Sequence, residues 1–143
     1  MATQENFLTF NNNDWQLVLN LQGGRIAYLN YKNKNILGSF ARLDGKEGST
    51  HLCLPCFDAE GEKSFGLPFH GAARNIYWQY AGEKKGENGL ITLIQATAKY
   101  PSDLRVEQQF FLGQGYFQQK ITVTNLGKKA VPLNVGIHKY WNT

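Results

Sequence analysis

The chain has little sulfur: among 143 residues there are Cys 2 and Met 1. Two thiols, Cys53 and Cys56, are too few for the disulfide framework of a small secreted domain. No apolar run approaches the roughly 20 residues that a membrane span needs. The opening Met1-Ala2-Thr3-Gln4-Glu5-Asn6 has neither the basic nor the apolar region of a secretory signal. These absences predict a cytoplasmic protein with no membrane partner. Charge of one sign is scarce too, with 15 basic against 11 acidic side chains and a net +4. Its densest pieces, Lys84-Lys85 and Lys128-Lys129, stand in glycine-containing turns. Solvated turn tips explain them, whereas a nucleic-acid footprint needs a denser stripe, so no nucleic-acid partner is expected. No Walker-type phosphate loop and no Gly-x-Ser-x-Gly nucleophile elbow occurs, and those enzyme classes are set aside.

Helical spacing of apolar residues is also missing, and alternation takes its place. In Leu104 to Leu112, positions 104, 106, 110 and 112 are apolar while Arg105, Glu107 and Gln109 occupy the other face. That is the pattern of a half-buried strand. After Gly113-Gln114-Gly115 the alternation resumes from Tyr116 to Asn125, which predicts an antiparallel hairpin. The same reasoning predicts strands at Phe7 to Phe10, Trp15 to Leu21, Arg25 to Tyr31, Ile76 to Tyr80, Leu90 to Ala98 and Val131 to Ile137. Turns are expected at Asn11 to Asp14, Gln22 to Gly24, Lys32 to Asn35, Glu83 to Gly89 and Leu126 to Lys129. The chain reads as one all-β domain, 1–143, an antiparallel β-sandwich. At this length roughly two-thirds of the unfolded surface can be buried, enough for a core without cross-links.

One stretch departs from the alternation. Ser39 to Asn75 is rich in Gly, Pro, His, Cys and acidic residues, and a long connection of that kind inside a compact domain is usually functional. Within it, His70 and Arg74 are separated by Gly71-Ala72-Ala73, small residues that leave a ligand room to approach. An imidazole near a guanidinium can bind a polyol or an anion. The plainer alternative is a structural histidine with a surface ion pair. Farther on, Gly136-Ile137-His138-Lys139-Tyr140-Trp141 ends a predicted strand. There a histidine beside two aromatic rings suits a sugar, with rings against C–H faces and the imidazole exchanging protons. An aromatic cluster sealing the sheet edge is the competing reading. In His51-Leu52-Cys53-Leu54-Pro55-Cys56 no helix is predicted to activate the Cys-x-x-Cys pair, and Asp58 is a poor fourth ligand for zinc. Buried thiols are the expectation, with no metal and no cofactor.

Taken in order, these segments resemble the aldose 1-epimerase (galactose mutarotase-like) superfamily, and most closely its branch with the glucose-6-phosphate 1-epimerases. The likeness runs from Gly23-Gly24-Arg25 through Leu52 to Phe57, the His-Gly-x-x-Arg of His70 to Arg74, and Trp78. It continues through Tyr100-Pro101, Asn125 and Pro132 to His138-Lys139-Tyr140-Trp141. It covers residues from about 5 to 143 but only about the first half of a full-length family member. The resemblance implies a β-supersandwich and an isomerase that interconverts the anomers of an aldose or aldose phosphate by acid/base ring opening. It implies His138 as general acid on the ring oxygen and His70 as a second catalytic histidine that holds the sugar. Arg74, Tyr140 and Trp141 become substrate-binding residues, with Arg74 placed to meet an anionic group. The family's base is a glutamate late in the full-length chain, and no acidic residue here lies in a matching motif. The expectation is therefore an epimerase-like protein lacking independent activity unless the base comes from elsewhere. The alternative is a non-catalytic carbohydrate-binding module. A third possibility is an interaction module whose exposed sheet edges pair with another chain, and those edges predict a homodimer.

Overall fold

The structure is a computed structural model and describes residues 6–55, 63–64, 66–100 and 102–142, the side chains of 98–100 excepted. Cys56, Phe57, Asp58 and the Tyr100-Pro101 pair as side chains therefore lie outside the described residues.

Four strands form a meander in the first sheet: β1 (Phe7–Asn12), β2 (Trp15–Asn20), β3 (Arg25–Tyr31) and β4 (Lys34–Leu37). Alternation sets their faces. Trp15, Leu17 and Leu19 of β2 are buried while Gln16, Val18 and Asn20 between them are only partly so. The β3–β4 connection is a two-residue turn, Lys32-Asn33, with Tyr31 paired to Lys34. Both turn residues take positive φ, 48° and 63°, the backbone twist that favours a tight hairpin.

The segment between this sheet and the next is short-stranded and irregular. It consists of β5 (Phe40–Ala41), β6 (Glu47–Gly48) and β7 (His51–Cys53), followed by a 3-10 turn at Ala73–Asn75. Of these, β5 pairs with β6, and β7 is left to a separate ladder. A second four-stranded meander then follows: β8 (Gln79–Gly86), β9 (Gly89–Tyr100), β10 (Ser102–Gly113) and β11 (Phe117–Asn125). A final strand, β12 (Gly136–His138), returns to pair with β7.

The two large sheets share one core. Phe10, Trp15, Leu17 and Leu19 from the first pack in a single cluster with Ile94, Val106, Phe110 and Leu112 from the second. Side-chain hydrogen bonds join the layers at three places. Asn12 donates from Nδ2 to the Leu112 carbonyl at 2.8 Å, and Trp15 donates from Nε1 to the Gly113 carbonyl at 2.9 Å. Gln108, on the core face of β10, donates to the Gly24 carbonyl at 2.9 Å and accepts from Gln119 Nε2 at 2.8 Å. A buried amide so satisfied stabilises the layer contact, whereas left unpaired it would oppose folding. The architecture is the antiparallel β-sandwich that the alternation predicts.

Element boundaries differ from the expectation in several places. The strand expected at Ile76 to Tyr80 begins only at Gln79, and the turn expected at Asn11 to Asp14 shrinks to Asn13-Asp14 because β1 runs to Asn12. The hairpin turn expected at Glu83 to Gly89 shrinks to Glu87-Asn88, because β8 continues to Gly86 and pairs with Gly89. Glu83, Lys84 and Lys85 are strand residues on an exposed edge, so no buried face marks them as such. The turn expected at Lys32 to Asn35 shrinks to Lys32-Asn33 for a similar reason, since Lys34 and Asn35 already pair in β4. The strand expected at Val131 to Ile137 reduces to β12, and residues 132–135 are exposed without regular pairing.

Candidate functional site

The small β7–β12 ladder positions the site. It adjoins the first sheet through isolated bridges, Ile26 with Thr50 and Leu37 with Trp141. In its register His51 stands directly opposite His138. Directly opposed residues of an antiparallel pair project to the same face with their Cβ atoms close together. The two imidazoles accordingly stack, with centroids 5.2 Å apart and planes 9° from parallel.

The third histidine reaches the same place from a different segment. His70 has φ of 63° and Gly71 φ of 79°, so two successive left-handed residues turn the chain sharply after Pro68. A side chain at Gly71 would run into the Leu54 carbonyl, which is why glycine is required there. Gly71 N–H donates to the Pro68 carbonyl at 2.8 Å and Ala73 N–H to Leu54 at 3.1 Å, which pins the turn against β7. Behind it, the fully buried Trp78 donates from Nε1 to the Ala73 carbonyl at 2.9 Å. Gly24 lies flat on that indole, where a Cβ would come within 2.5 Å of the ring. The glycine pair, the His-Gly-x-x-Arg segment and Trp78 are thus one packed unit. It brings His70 to 5.8 Å from His138 and 6.1 Å from His51, measured between ring centroids.

Together these segments line a cleft of about 800 Å³, large enough for a small polar ligand. All three histidines of the chain face it, together with Arg25, Arg42, Lys46 and Arg74. Asp44 and Glu47 supply its acidic groups, so four cationic side chains stand against two carboxylates. Asp44 is already engaged, 3.1 Å from Arg42. Arg25 donates from Nη2 to the Arg74 carbonyl at 3.3 Å, which ties the two arginine segments together. Aromatic rings complete the lining. Tyr140 lies 4.8 Å from His138 and 5.2 Å from Phe40, and Phe69 lies 3.7 Å from His70 and 5.7 Å from the Arg74 guanidinium.

Three polar atoms in this cleft have no hydrogen-bond partner among the described residues: His51 Nε2, His138 Nδ1 and Arg74 Nε. Buried polar atoms are normally satisfied, and the exceptions at His138 and Arg74 mark a place where a ligand or water belongs. The charge balance acts on the imidazoles. Burial lowers the His138 pKa below 6.5, helped by His70 and Arg74. Burial lowers that of His51 further, to about 4, against the opposing effect of its bond to the Ser49 carbonyl. Among the described residues no group of His, Cys, Asp or Glu is arranged to hold a metal ion.

The structure brings His70, Arg74, His138 and Tyr140 to one cleft. It does not bring Trp141 there, since that ring is 62% exposed and stacks under Lys139 Nζ at 5.4 Å. Sequence reasoning missed the cleft roles of Arg25, Phe40, Glu47 and Phe69, and it weighed His51 only as a neighbour of the thiols. Strand pairing is the signal for His51, because its register with His138 follows only once β7 and β12 are known to be partners. Cys53 is buried, as expected for a thiol in β7.

Residues 7–143 match the family described as aldose 1-epimerase. The chain belongs to that family. Solved structures extend the likeness to the fold. A galactose mutarotase-like protein from Lactobacillus casei superposes with a TM-score of 0.72 at 17% identity, over 93% of this chain and 49% of its own. A candidate aldose 1-epimerase from Escherichia coli K12 gives 0.71 at 19% identity, over 94% and 51%. A galactose mutarotase-like protein from Clostridium acetobutylicum gives 0.67 at 15% identity, over 93% and 49%. The chain spans about half the length of these aldose 1-epimerase-like structures. No helix among the described residues is long and apolar enough to cross a membrane.

Proposed function

We propose that the cleft binds an aldose, with a preference for one carrying an anionic group such as a phosphate, and promotes interconversion of its anomers. His138 is the general acid: it protonates the ring oxygen as the bond from that oxygen to the anomeric carbon breaks. The proton of the anomeric hydroxyl leaves to a base at the same time, which yields the open-chain aldehyde. Rotation about the adjacent carbon–carbon bond and reversal of both transfers give the other anomer. His70 and Arg74 hold the sugar, and Tyr140 with Phe69 covers its C–H faces. Of the two carboxylates in the cleft, Glu47 is assigned the base role because Asp44 is engaged by Arg42. The convergence of His70 and His138 on one cleft, 5.8 Å apart, is the observation that carries this reading. The excess of cationic groups around it favours the anionic ligand.

A second reading, sugar binding without turnover, is favoured by the exposure of Glu47, the base that the first reading needs. Anomer exchange measured by nuclear magnetic resonance on glucose 6-phosphate, with polarimetry on freshly dissolved α-glucose, separates the two, with calorimetric titration of both sugars alongside. A rate above background that His138→Ala and Glu47→Gln abolish supports the epimerase. Binding with only the background rate supports the second reading, and no binding of any aldose or sugar phosphate removes both. Membership of a homodimer through the β8 or β11 edge is a separate proposal, and light scattering that finds a monomer at high concentration would refute it.

A further inference from the structure

His70 and His138 have roles in the proposed reaction, and the third imidazole has none. Yet His51 is 3% exposed, the most buried of the polar groups lining the cleft. Its Nδ1 lies 2.9 Å from the Ser49 carbonyl. A carbonyl oxygen only accepts, so Nδ1 carries the hydrogen and Nε2 the lone pair. That fixes both the tautomer and the ring's orientation, while Nε2 itself is buried without a partner.

The register of β7 with β12 lays this ring against His138, 5.2 Å between centroids and 9° from parallel. Other groups surround the pair. His70 and Arg74 approach from the segment before and within the 3-10 turn, Arg25 from β3, Arg42 from the loop after β5 and Tyr140 from beyond β12. A cationic partner at position 51 would oppose the proton that His138 carries as an acid, and a small one would admit water behind it. A neutral aromatic plate does neither.

We propose that His51 is a positioning residue, a neutral imidazole whose stacked face fixes the ring plane of His138 and keeps water from its inner side. The proposal rests on the reading of His138 as the acid, and its test does not need turnover to be decided.

With three histidines in the chain, the imidazole nitrogens can be followed individually by nuclear magnetic resonance in the intact protein. His51 should show one neutral Nδ1–H tautomer from pH 5 to 8, while His138 titrates below 6.5. His51→Phe keeps the plate and should leave the His138 midpoint where it is. His51→Ala admits water and should move that midpoint up towards the ordinary imidazole value, because burial is what lowers it. Where anomer interconversion is measurable, His51→Ala should lower kcat about tenfold with KM changed less than about twofold, since misplacing an acid costs rate more than binding. His51→Phe should keep kcat within about twofold. The proposal is overturned if His51 titrates near 6.5, if the His138 midpoint rises in His51→Phe, or if His51→Phe loses sugar affinity, which would make position 51 a ligand contact. Should His51→Ala not fold, the wild-type tautomer and the His51→Phe midpoint decide. A protein without any epimerase rate refutes the proposed reaction but leaves these midpoints to judge His51 separately.

Discussion

Acidification should destabilise this protein through His51. An imidazole in the unfolded chain titrates near 6.5, and His51 in the folded protein near 4. As pH falls through this window the unfolded state takes up a proton that the native state refuses, so stability present above 6.5 is lost on the way to 4. At about 1.4 kcal/mol per pH unit, that window amounts to about 3 kcal/mol. For a domain of this size the loss corresponds to a fall in Tm of about 10 °C. The assay is urea or thermal unfolding at half-unit steps from pH 7 to pH 4, with His51→Phe measured in parallel. The variant keeps an aromatic ring but cannot bind a proton there, so its curve should be flatter by about 3 kcal/mol over the same range. His138 contributes to both curves in the same direction, and the difference between them isolates position 51. Parallel curves for the two proteins would refute the argument, because they would mean that His51 is protonated as easily folded as unfolded.

Two core positions and one surface position give further tests. Gly71→Ala should cost about 2 kcal/mol or more, from its left-handed backbone and the Leu54 carbonyl in its way, and urea unfolding measures it. An unchanged midpoint would mean that the His70 turn is not under this constraint. Gln108→Leu should cost about 1–3 kcal/mol by leaving the Gly24 carbonyl and the Gln119 amide without their partner, and a stabilised variant in the same unfolding assay would contradict that. Trp141→Ala should leave calorimetric sugar affinity within about twofold, since the ring stands outside the cleft, and a tenfold loss would place it in the site.

The sandwich is legible in the sequence because burial in a two-layer fold writes a period of two. Leu104, Val106, Phe110 and Leu112 declare the face of β10 directly, even with the polar Gln108 among them. Edge strands write no such signal. Glu83, Lys84 and Lys85 touch solvent on both sides, and their composition resembles that of a turn. The cleft is legible only in part. His70 with Arg74 and His138 with Tyr140 are each local in sequence, and local motifs can be read. What joins them is the pairing of β7, three residues long, with β12, also three residues long, across more than eighty positions. Neither strand is long enough to show a period, so the register that stacks His51 on His138 could not be read from the sequence. Trp141 shows the opposite error: it adjoins Tyr140 in sequence, but successive side chains of an extended segment point to opposite sides.

The charge of the cleft and the chemistry assigned to it pull in opposite directions, and that tension bears on the ligand. A general acid must hold a proton to give it away, yet burial, His70 and Arg74 all lower the pKa of His138. Against a neutral sugar this leaves little of the acid form near neutral pH. An anionic group bound among Arg25, Arg42, Lys46 and Arg74 would offset those positive charges in a partly dry cleft, where charges are felt more strongly than in water. The His138 midpoint would then rise towards the range in which an imidazole exchanges protons readily. Under this reasoning the cationic lining does more than attract a phosphorylated sugar: occupancy of the anion position is what arms the acid, and a sugar lacking the charged group would bind beside an imidazole that is mostly deprotonated.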